Sequence, residues 1–493
     1  MSVAAPRRRA PRRAHGPRIL LTTEATYPYA MGGVSSWCHL VVSGLPEFTW
    51  SILPIHAGGR RPRQLFELPP HAALAGRVDV WSEQLPRRRS RRNRRGTRRG
   101  SRPALPAELA RTLIGWTSDP DALTDALVWC RRHPEALRRT FRSVDAWSLF
   151  LAELRNVLDE RHPDVGRTPE LDAVDAANLY QRLYWIARTA AVETPATDLL
   201  HVTAAGWAAI PALVHQRISG VPLLLTEHGV YVREAYLAAA RSSAPAGERF
   251  LSSRLARGLS MAAYAGADVV APVTEANARW ELGLGVEPAS IRVIHNGIAP
   301  TPSRSDPPGD LKVVSIGRID PLKDVQTMLH VAAEVTRRIP AAHFEYWGPP
   351  TKGQEVYART CEVLRGQLAL GDRFRFMGTT SAPADVVRSA DVVLMTSISE
   401  GLPMAALEAM AQGRAIVATG VGGVPDLLRG CGIVVPSGDV RGLATGVTAL
   451  LRDQRLAARL GQRAYARVHD HYTQHTCLRR YRALLAELTG PRP

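Results

Sequence analysis

Short apolar runs, each bounded by polar or turn-forming residues, recur along the first 300 residues and predict buried strands. Continuous apolar runs of this kind are typical of parallel sheets that are covered on both faces. Between the second and third runs, spaced Leu, Val and Trp residues over 106–195 indicate helices. The predicted strands are Arg18–Thr23, Trp50–Pro54, Leu199–Thr203, Pro222–Thr226, Asp268–Pro272 and Val293–Ile298.

The pattern becomes more regular after residue 310, where strand-like and helix-like segments alternate. Strands separated by helices of about 10–15 residues predict βαβ units and a parallel sheet. One predicted helix face carries apolar residues at i, i+3, i+4 and i+7, namely Val325, Met328, Leu329 and Ala332. The predicted strands are Lys312–Ile319, His343–Trp347, Phe374–Met377, Val392–Thr396, Ile416–Thr419 and Ile433–Val435.

Four prolines within residues 300–309 interrupt both patterns, because proline continues neither a helix nor a central strand. We therefore predict two α/β domains with a cleft between them. The first domain carries an insertion at about 57–195, whose Pro- and Arg-rich part at 60–105 is expected to be an exposed loop. The predicted segments are a basic tail at 1–17, a first domain at 18–299, a linker at 300–310, a second domain at 311–472, and a C-terminal helix at 473–493 that could cross back to the first domain.

Charge is distributed unevenly along the 493 residues. The formal net charge is +18, but residues 1–18 hold six Arg, residues 87–102 hold ten Arg, and neither segment contains a carboxylate. The rest of the chain therefore carries a net charge of only +2. The two Arg tracts could bind an anionic membrane or a nucleic acid, or could be solvated tethers.

Several classes of protein are excluded by composition. No apolar run approaches the roughly 18 residues of a membrane span, and the basic start is followed by too short an apolar core for a signal peptide. The five Cys are scattered without the spacing of a disulfide framework or a zinc site. A cytoplasmic protein is expected, with the option of peripheral contact with the inner membrane face.

A carboxylate pair gives the first chemical signal. Glu400 precedes the helix predicted at Pro403–Gln412, and Glu408 lies inside that helix. Gly401 allows a tight turn, and Pro403 is predicted at the first helical position. The free amides of a helix N-terminus favour a phosphate, whereas two carboxylates suit sugar hydroxyls. Two Glu near a helix start could also be ordinary, dipole-favoured residues.

A pair of cations and two weaker signals add to this picture. Arg318 and Lys323 flank a Pro-containing turn after a strand, and there they could neutralise a diphosphate or remain solvated. Lys323 stands out because the chain has three Lys and 60 Arg. Gly32-Gly33 after the first strand could approach a phosphate or form a plain turn. His228 directly follows a strand and could be a structural residue.

Two possible metal sites are discounted. Asp119 and Asp121 match a DxD motif but lie in the helical insertion, outside a β-context. A His-rich segment near the C-terminus has ligand-like spacing, but Thr473 is predicted to cap a helix and leave His471 outside it.

These elements, in this order, resemble the retaining glycosyltransferases of the GT-B fold, specifically glycosyltransferase family 4. The marks of that family are two Glu separated by seven residues (Glu400, Glu408), the Arg318 and Lys323 element, and an early Gly-Gly loop. The resemblance implies two Rossmann-like domains that face each other across a cleft.

Two segments of the first domain narrow the resemblance further. Thr23–Tyr29, Thr226–Tyr231 and the helical insertion resemble the PelF-like subgroup. Members of that subgroup are glycosyltransferases of exopolysaccharide assembly.

The resemblance implies a role for each matching position. Glu408 would bind the nucleotide ribose, and Glu400 would hold hydroxyls of the donor sugar. Arg318 and Lys323 would clamp the diphosphate, and His228 would lie near the sugar ring. Further contacts to the donor would come from Gly32, Gly33, Met377, Gly401, Leu402 and Met404.

The implied reaction is metal-independent transfer of a hexose, with retention, from a nucleotide sugar to a polysaccharide or other hydroxyl acceptor. The subgroup implies UDP-glucose as donor, and no cofactor or metal is expected because Arg318 and Lys323 take the place of a cation. Contact with an anionic membrane or a polysaccharide-export complex is left to the Arg tracts, and nucleic acid is not an expected partner. The alternatives are a non-enzymatic binder of nucleic acid or anionic surfaces, and a GT-B enzyme that uses an ADP-sugar or catalyses phosphorolysis.

Overall fold

The computed structural model describes residues 16–24, 26–56, 58, 63–82, 101–117, 119–160, 168–351 and 353–490. Its first sheet is parallel, with strand order β3-β2-β1-β5-β6-β7, and β4 pairs with the end of β2. Its strands are β1 (Arg18–Glu24), β2 (Thr49–His56), β3 (Ala72–Leu74), β4 (Val78–Asp79), β5 (Leu199–Val202), β6 (Leu223–Glu227) and β7 (Val269–Pro272).

The second sheet is also parallel, with strand order β10-β9-β8-β11-β12-β13. Its strands are β8 (Lys312–Ile316), β9 (His343–Trp347), β10 (Phe374–Gly378), β11 (Val392–Met395), β12 (Ala415–Thr419) and β13 (Ile433–Val435). Two parallel-sheet α/β domains confirm the predicted fold class.

Helices cover both faces of each sheet. The first domain contains α1 (Gly33–Gly44), α2 (Leu105–Ile114), α3 (Pro120–Arg132), α4 (Pro134–Arg142), α5 (Val144–Asp159), α6 (Ala173–Ala190), α7 (Ala209–Ser219), α8 (Tyr231–Arg241), α9 (Ala246–Gly266) and α10 (Glu275–Gly283). The remainder are α11 (Val325–Arg338), α12 (Glu355–Gln367), α13 (Pro383–Arg388), α14 (Met404–Ala411), α15 (Val424–Leu427), α16 (Val440–Arg452), α17 (Gln454–His471) and α18 (Gln474–Thr489).

The apolar runs form central strands, and successive side chains of such a strand enter two different cores. Leu20 of β1 packs into the core under the helical insertion, whereas Ile19 and Leu21 pack into a core that α1 and α18 cover. All three are at most 1% exposed. This burial on both faces explains why β1 reads as a continuous apolar run. No helix in the described ranges has the length and apolarity that crossing a membrane requires.

Two local predictions are wrong. The segment at 60–105 contains β3 and β4, which were too short to show periodicity. Val293–Ile298 forms no strand; near its end, the amide of Ile298 donates instead to the carbonyl of Tyr472 at 2.9 Å. The prediction near the C-terminus is confirmed, because Thr473 caps α18 and His471 lies outside that helix, in the last turn of α17.

Most of the Arg-rich sequence lies outside the described residues. This applies to tail residues 1–15 and to residues 83–100, which include most of the second tract. Of the arginines in that tract, only Arg102 is described, and its guanidinium pairs with Glu108 at 2.6 Å.

The chain passes between the domains at two adjacent points. Ile298 and Thr473 form a parallel β-bridge, and the amide of Gln474 donates to the carbonyl of Ile298 at 2.9 Å. Beyond this point α18 lies on the first domain, where the ring of Tyr481 is 5.2 Å from that of Trp37. The hydroxyl of Tyr481 is also 3.2 Å from that of Thr226 in β6.

Candidate functional site

Loops from the carboxyl edges of the two sheets touch at the centre of the molecule. A side chain at Gly401 would collide with the carbonyl oxygen of His228, so only glycine allows this approach. A Cβ at Gly33 would lie 3.2 Å from Cγ of Met404. Gly32, with a φ of 154°, is the N-cap of α1. The structure therefore brings predicted site residues of both domains together.

The loop after β11 is tied to the turn after β8. The hydroxyl of Thr396 donates to the carbonyl oxygens of Lys323 and Asp324, at 2.9 and 3.0 Å. The amide of Ile398 donates to the carbonyl of Leu322 at 2.9 Å. These bonds hold the two motifs of the second domain against each other.

Lys323 and Glu400 form an ion pair at this junction. Nζ of Lys323 lies 2.6 Å from Oε1 of Glu400, and the hydroxyl of Ser397 donates to the same oxygen at 2.6 Å. Glu400 is buried, whereas Lys323 remains partly exposed. Because an ammonium has three donors, Lys323 can hold Glu400 and still donate to an anion in the cleft.

Two aspartates fix the backbone around Lys323. Asp320 accepts a hydrogen bond from the amide of Leu322 at 2.9 Å, which closes a single 3₁₀ turn. Asp324 takes the left-handed conformation, with a φ of 47°, and caps α11 through the amide of Thr327. Lys323 is thus at the end of a capped turn, two residues before α11 begins.

Arg318 lies nearby but is not engaged. Its side chain is exposed and makes no hydrogen bond or ion pair with a described residue. Its backbone is fixed, because its carbonyl accepts a hydrogen bond from the hydroxyl of Tyr346 at 2.8 Å. A fixed backbone with a free guanidinium suits the capture of a phosphate.

Glu408 projects from the second turn of α14. The helix begins at Met404, because Pro403 has an extended ψ of 122° and serves as N-cap; the predicted first helical position was wrong by one residue. The carboxyl of Glu408 has no hydrogen bond or ion pair within the described residues. Burial raises the pKa of its carboxyl to about 7. The ionised form could accept hydrogen bonds from a diol.

The remaining predicted contacts of the second domain lie in two different settings. Leu402 is buried, and its carbonyl accepts a hydrogen bond from Nδ2 of Asn296 at 3.2 Å, which links it to the first domain. Met377 lies on the edge strand β10 and is 37% exposed. It is followed by Gly378, whose φ of 74° favours glycine. The structure does not bring Met377 into contact with the Lys323–Glu400 pair.

His228 is an uncharged histidine in the wall of the site. Burial lowers its pKa to about 3, so the imidazole is neutral at pH 7. The ring packs edge-on against Trp37, with centroids 4.5 Å apart. Its Nε2 is buried and has no hydrogen-bond partner among the described residues. A buried ring nitrogen without a partner is available to a ligand.

Two residues of α8 were missed by sequence reasoning. Arg233 donates to the carbonyl oxygen of Glu400 at 3.2 Å, and its buried Nε has no partner among the described residues. Glu234 lies against Gly229. Burial raises the pKa of Glu234, while the positive charge of Arg233 opposes that shift and the negative charge of Glu400 adds to it. The signal available in the sequence was their position, because both residues lie in the first turn of the helix that follows the His228 loop.

A pair of carboxyls lies behind His228. Glu227 ends β6 and accepts hydrogen bonds from the hydroxyl of Tyr264 at 2.6 Å and the amide of Tyr231 at 2.9 Å. Glu281 of α10 is fully buried beside it. Burial, with the neighbouring negative charge of Glu227, raises the pKa of Glu281. Burial therefore favours the uncharged form of Glu281, as it does for His228.

Nothing in the described ranges suggests a metal centre. No three His, Cys, Asp or Glu side chains there converge closely enough to hold a metal ion. The polar groups at the junction are instead three cations (Arg233, Arg318 and Lys323), carboxyls and a neutral imidazole. This set can neutralise an anion and bind hydroxyl groups.

Two family models match adjacent parts of the chain. The model described as Domain of unknown function (DUF3492) matches residues 17–289, more than half of the chain. The model described as Glycosyl transferases group 1 matches residues 310–453, which include Arg318, Lys323, Glu400 and Glu408.

Curated relatives match shorter stretches. The D-inositol 3-phosphate glycosyltransferase of Nocardia farcinica is 32% identical over 195 residues, which are 38% of this chain and 43% of the relative. The N-acetyl-alpha-D-glucosaminyl L-malate synthase of Bacillus anthracis is 29% identical over 128 residues, which are 25% of this chain and 34% of the relative. The chain spans less than half the length of either relative.

Solved structures match over nearly the whole chain. Sucrose-phosphate synthase from Thermosynechococcus elongatus has a TM-score of 0.60 and 17% identity, over 96% of this chain and 99% of that chain. Anabaena HepE in complex with UDP-glucose has a TM-score of 0.58 and 14% identity, over 96% of this chain and 100% of that chain. At such identities the likeness shows the fold, which is GT-B.

Proposed function

Because the chain belongs to the family of the Domain of unknown function (DUF3492) and its second domain is a group 1 glycosyltransferase domain, we propose that it transfers a hexose from a nucleotide sugar to a hydroxyl acceptor. The observation that carries the proposal is the Lys323–Glu400 pair at the junction of the two domains. It places a cation and a hydroxyl-binding carboxylate next to the loop of His228. A diphosphate-linked sugar requires both kinds of group.

UDP-glucose is the donor that we propose. Arg318 and Lys323 neutralise the diphosphate, and the free amides at the start of α14 add to this effect. Glu408 accepts from the ribose hydroxyls, and Glu400 accepts from the hydroxyls of the sugar. HepE, which shares the fold, was solved with UDP-glucose. The base would lie near Met377, at the edge of the second sheet.

We propose transfer with retention and without a metal. The bond between C1 and the diphosphate oxygen breaks, and its electron pair stays on that oxygen. Arg318 and Lys323 stabilise the charge that develops there. The acceptor oxygen attacks C1 from the same face, and its proton passes to the departing phosphate. Neutral His228 can offer a hydrogen bond to the sugar at Nε2 without adding charge.

Isothermal titration calorimetry with UDP tests the donor site. We expect Lys323→Ala and Glu408→Ala each to weaken binding by at least tenfold, because each removes a direct contact. Lys312→Ala is the matched control: Lys312 starts β8 at the opposite edge of the same sheet and pairs with Glu345 at 3.4 Å. UDP binding that survives both site variants would refute the assignment.

The proposed acceptor is a growing exopolysaccharide, which rests on the resemblance of Thr23–Tyr29 and Thr226–Tyr231 to the PelF-like subgroup. Product analysis with a panel of UDP- and ADP-sugars and oligosaccharide acceptors tests this proposal. We expect transfer from UDP-glucose with retained anomeric configuration. Transfer from ADP-glucose alone, or an inverted product, would contradict it.

A further inference from the structure

A cavity of about 570 Å³, separate from the donor site, opens where three helices meet. One wall is α10 of the first domain, another is the C-terminal end of α17 in the second domain, and the third is the start of α18. Its volume lies within the range of about 300–1,000 Å³ that is typical of small-molecule sites. None of its lining residues belongs to the donor site described above.

Part of the charge in this cavity is already neutralised. Asp426 pairs with Arg429. Glu275 lies 3.6 Å from Nε2 of His295. Arg467 donates to the carbonyl oxygens of residues 426 and 427, each at 2.9 Å, and is thereby held in place. These contacts build a fixed wall with little net charge.

Three lining arginines are left without counter-charge. Arg279 of α10 and Arg479 and Arg480 of α18 are exposed, and none makes a hydrogen bond or ion pair with a described residue. The one lining carboxylate without such a bond is Asp470. Converging guanidinium groups repel one another unless an anion lies between them, and their planar donors match phosphate oxygens.

From this geometry we infer that the cavity is a second anion site, which binds a compact phosphate-bearing molecule such as a diphosphate or a phosphate ester. The occupant is small because the space that these arginines line has a volume of about 570 Å³. Since Arg279 belongs to α10 and Arg479 and Arg480 belong to α18, the bound anion links these two helices beside the end of α17.

The site also has a structural route to the loop of Glu400. Thr274, the N-cap of α10, touches Gly423, and the amide of Gly423 donates to the carbonyl of Gly401 at 3.0 Å. An anion that fixes α10 beside α18 therefore also supports Thr274, against which Gly423 and the loop of Gly401 pack. Binding itself does not depend on the proposed transferase activity.

The test uses inorganic pyrophosphate as probe and the full chain carrying Lys323→Ala, so that the proposed donor site binds the probe at least tenfold more weakly. We expect isothermal titration calorimetry to show pyrophosphate binding. Arg479→Ala with Arg480→Ala should weaken it by at least tenfold. Arg279→Ala, on a different helix, should weaken it about fivefold; because this residue is exposed, the variant should fold even if the double variant does not.

The matched control removes two exposed arginines from α17, outside the cavity: Arg455→Ala with Arg459→Ala. We expect this pair to leave pyrophosphate affinity within twofold, and melting temperatures to show that each variant is folded. Absence of binding in the Lys323→Ala chain, or equal loss in the control pair and in the cavity variants, would overturn the inference. Neither result would affect the UDP titration, so the two proposals fail independently.

Discussion

The two sheet edges that meet at the candidate site differ in electrostatic character. On the first-domain side, burial lowers the pKa of His228 to about 3 and raises the pKa of Glu234 and of Glu281. On the second-domain side, Lys323 is paired with Glu400, and Arg318 is exposed and free. The comparison indicates that the exposed cations for an anionic leaving group come from the second domain. In the wall of the first domain, burial favours uncharged forms, and Arg233 is the cation there.

The largest expected effect comes from breaking the charged side. Glu400→Gln keeps the shape of the side chain but removes the charge that holds Lys323, so we expect kcat/KM for sugar transfer to fall by about 10²-fold. The matched control is Glu345→Gln, because Glu345 pairs with Lys312 at the other end of β8. We expect the control to stay within about twofold in kinetic assays with UDP-glucose. Equal losses of kcat/KM in Glu400→Gln and Glu345→Gln would show that the pair at the carboxyl end of β8 matters no more for transfer than the pair at its start.

A somewhat smaller effect is expected on the neutral side. His228→Phe keeps an aromatic ring against Trp37 but removes Nε2, so kcat/KM should fall by about 10–10²-fold while the melting temperature changes by only a few degrees. Because the pKa of His228 is about 3, its titration should not appear in the wild-type pH–rate profile between pH 5 and 8. Unchanged kinetics in the variant would show that His228 only fills space.

A tenfold effect is expected from the titration of Glu408. Its pKa of about 7 means that the carboxylate form, which accepts hydrogen bonds from a diol, increases as the pH rises. UDP affinity measured by calorimetry should therefore increase by up to about tenfold between pH 6 and pH 8. Glu408→Gln should bind more weakly and lose this pH dependence. A wild-type affinity that is constant over this range would contradict the assignment.

The smallest effect concerns stability. The raised pKa of Glu281 means that the folded state keeps a proton which the unfolded state has lost. The free energy of unfolding should therefore fall as the pH rises above the ordinary range of a glutamate, with a slope below about 1.4 kcal/mol per pH unit. In urea titrations at several pH values, Glu281→Gln should reduce this slope. Glu287→Gln, at an exposed position, is the control and should leave it unchanged.

The motifs that were predictable from sequence are those whose chemistry is local. Lys323, Glu400 and Gly401 lie next to strand ends, and strand ends of a parallel sheet share one edge. Their spacing therefore placed them together before any coordinates were known. What spacing could not show was that Lys323 and Glu400 bind each other.

The features that sequence reasoning missed depend on tertiary neighbours. Arg233 and Glu234 look like ordinary charged residues of a helix start, and only burial against Gly229 and contact with Glu400 set them apart. Glu281 lies in a helix with mixed polarity, so nothing in its spacing marked it as fully buried. The apolar pattern of Val293–Ile298 predicts a strand. In the structure, the amide of Ile298 instead donates to the carbonyl of Tyr472, which is distant in the sequence.

The bridge between Ile298 and Thr473 makes the first domain discontinuous in sequence. Its core on the α1 face includes Tyr481 and Leu485, which are synthesised only after the entire second domain. Until then, Trp37 and its apolar neighbours lack the helix that covers them. The first half of the chain must therefore wait for the last helix to complete its fold, and it presents uncovered apolar surface to chaperones in the meantime.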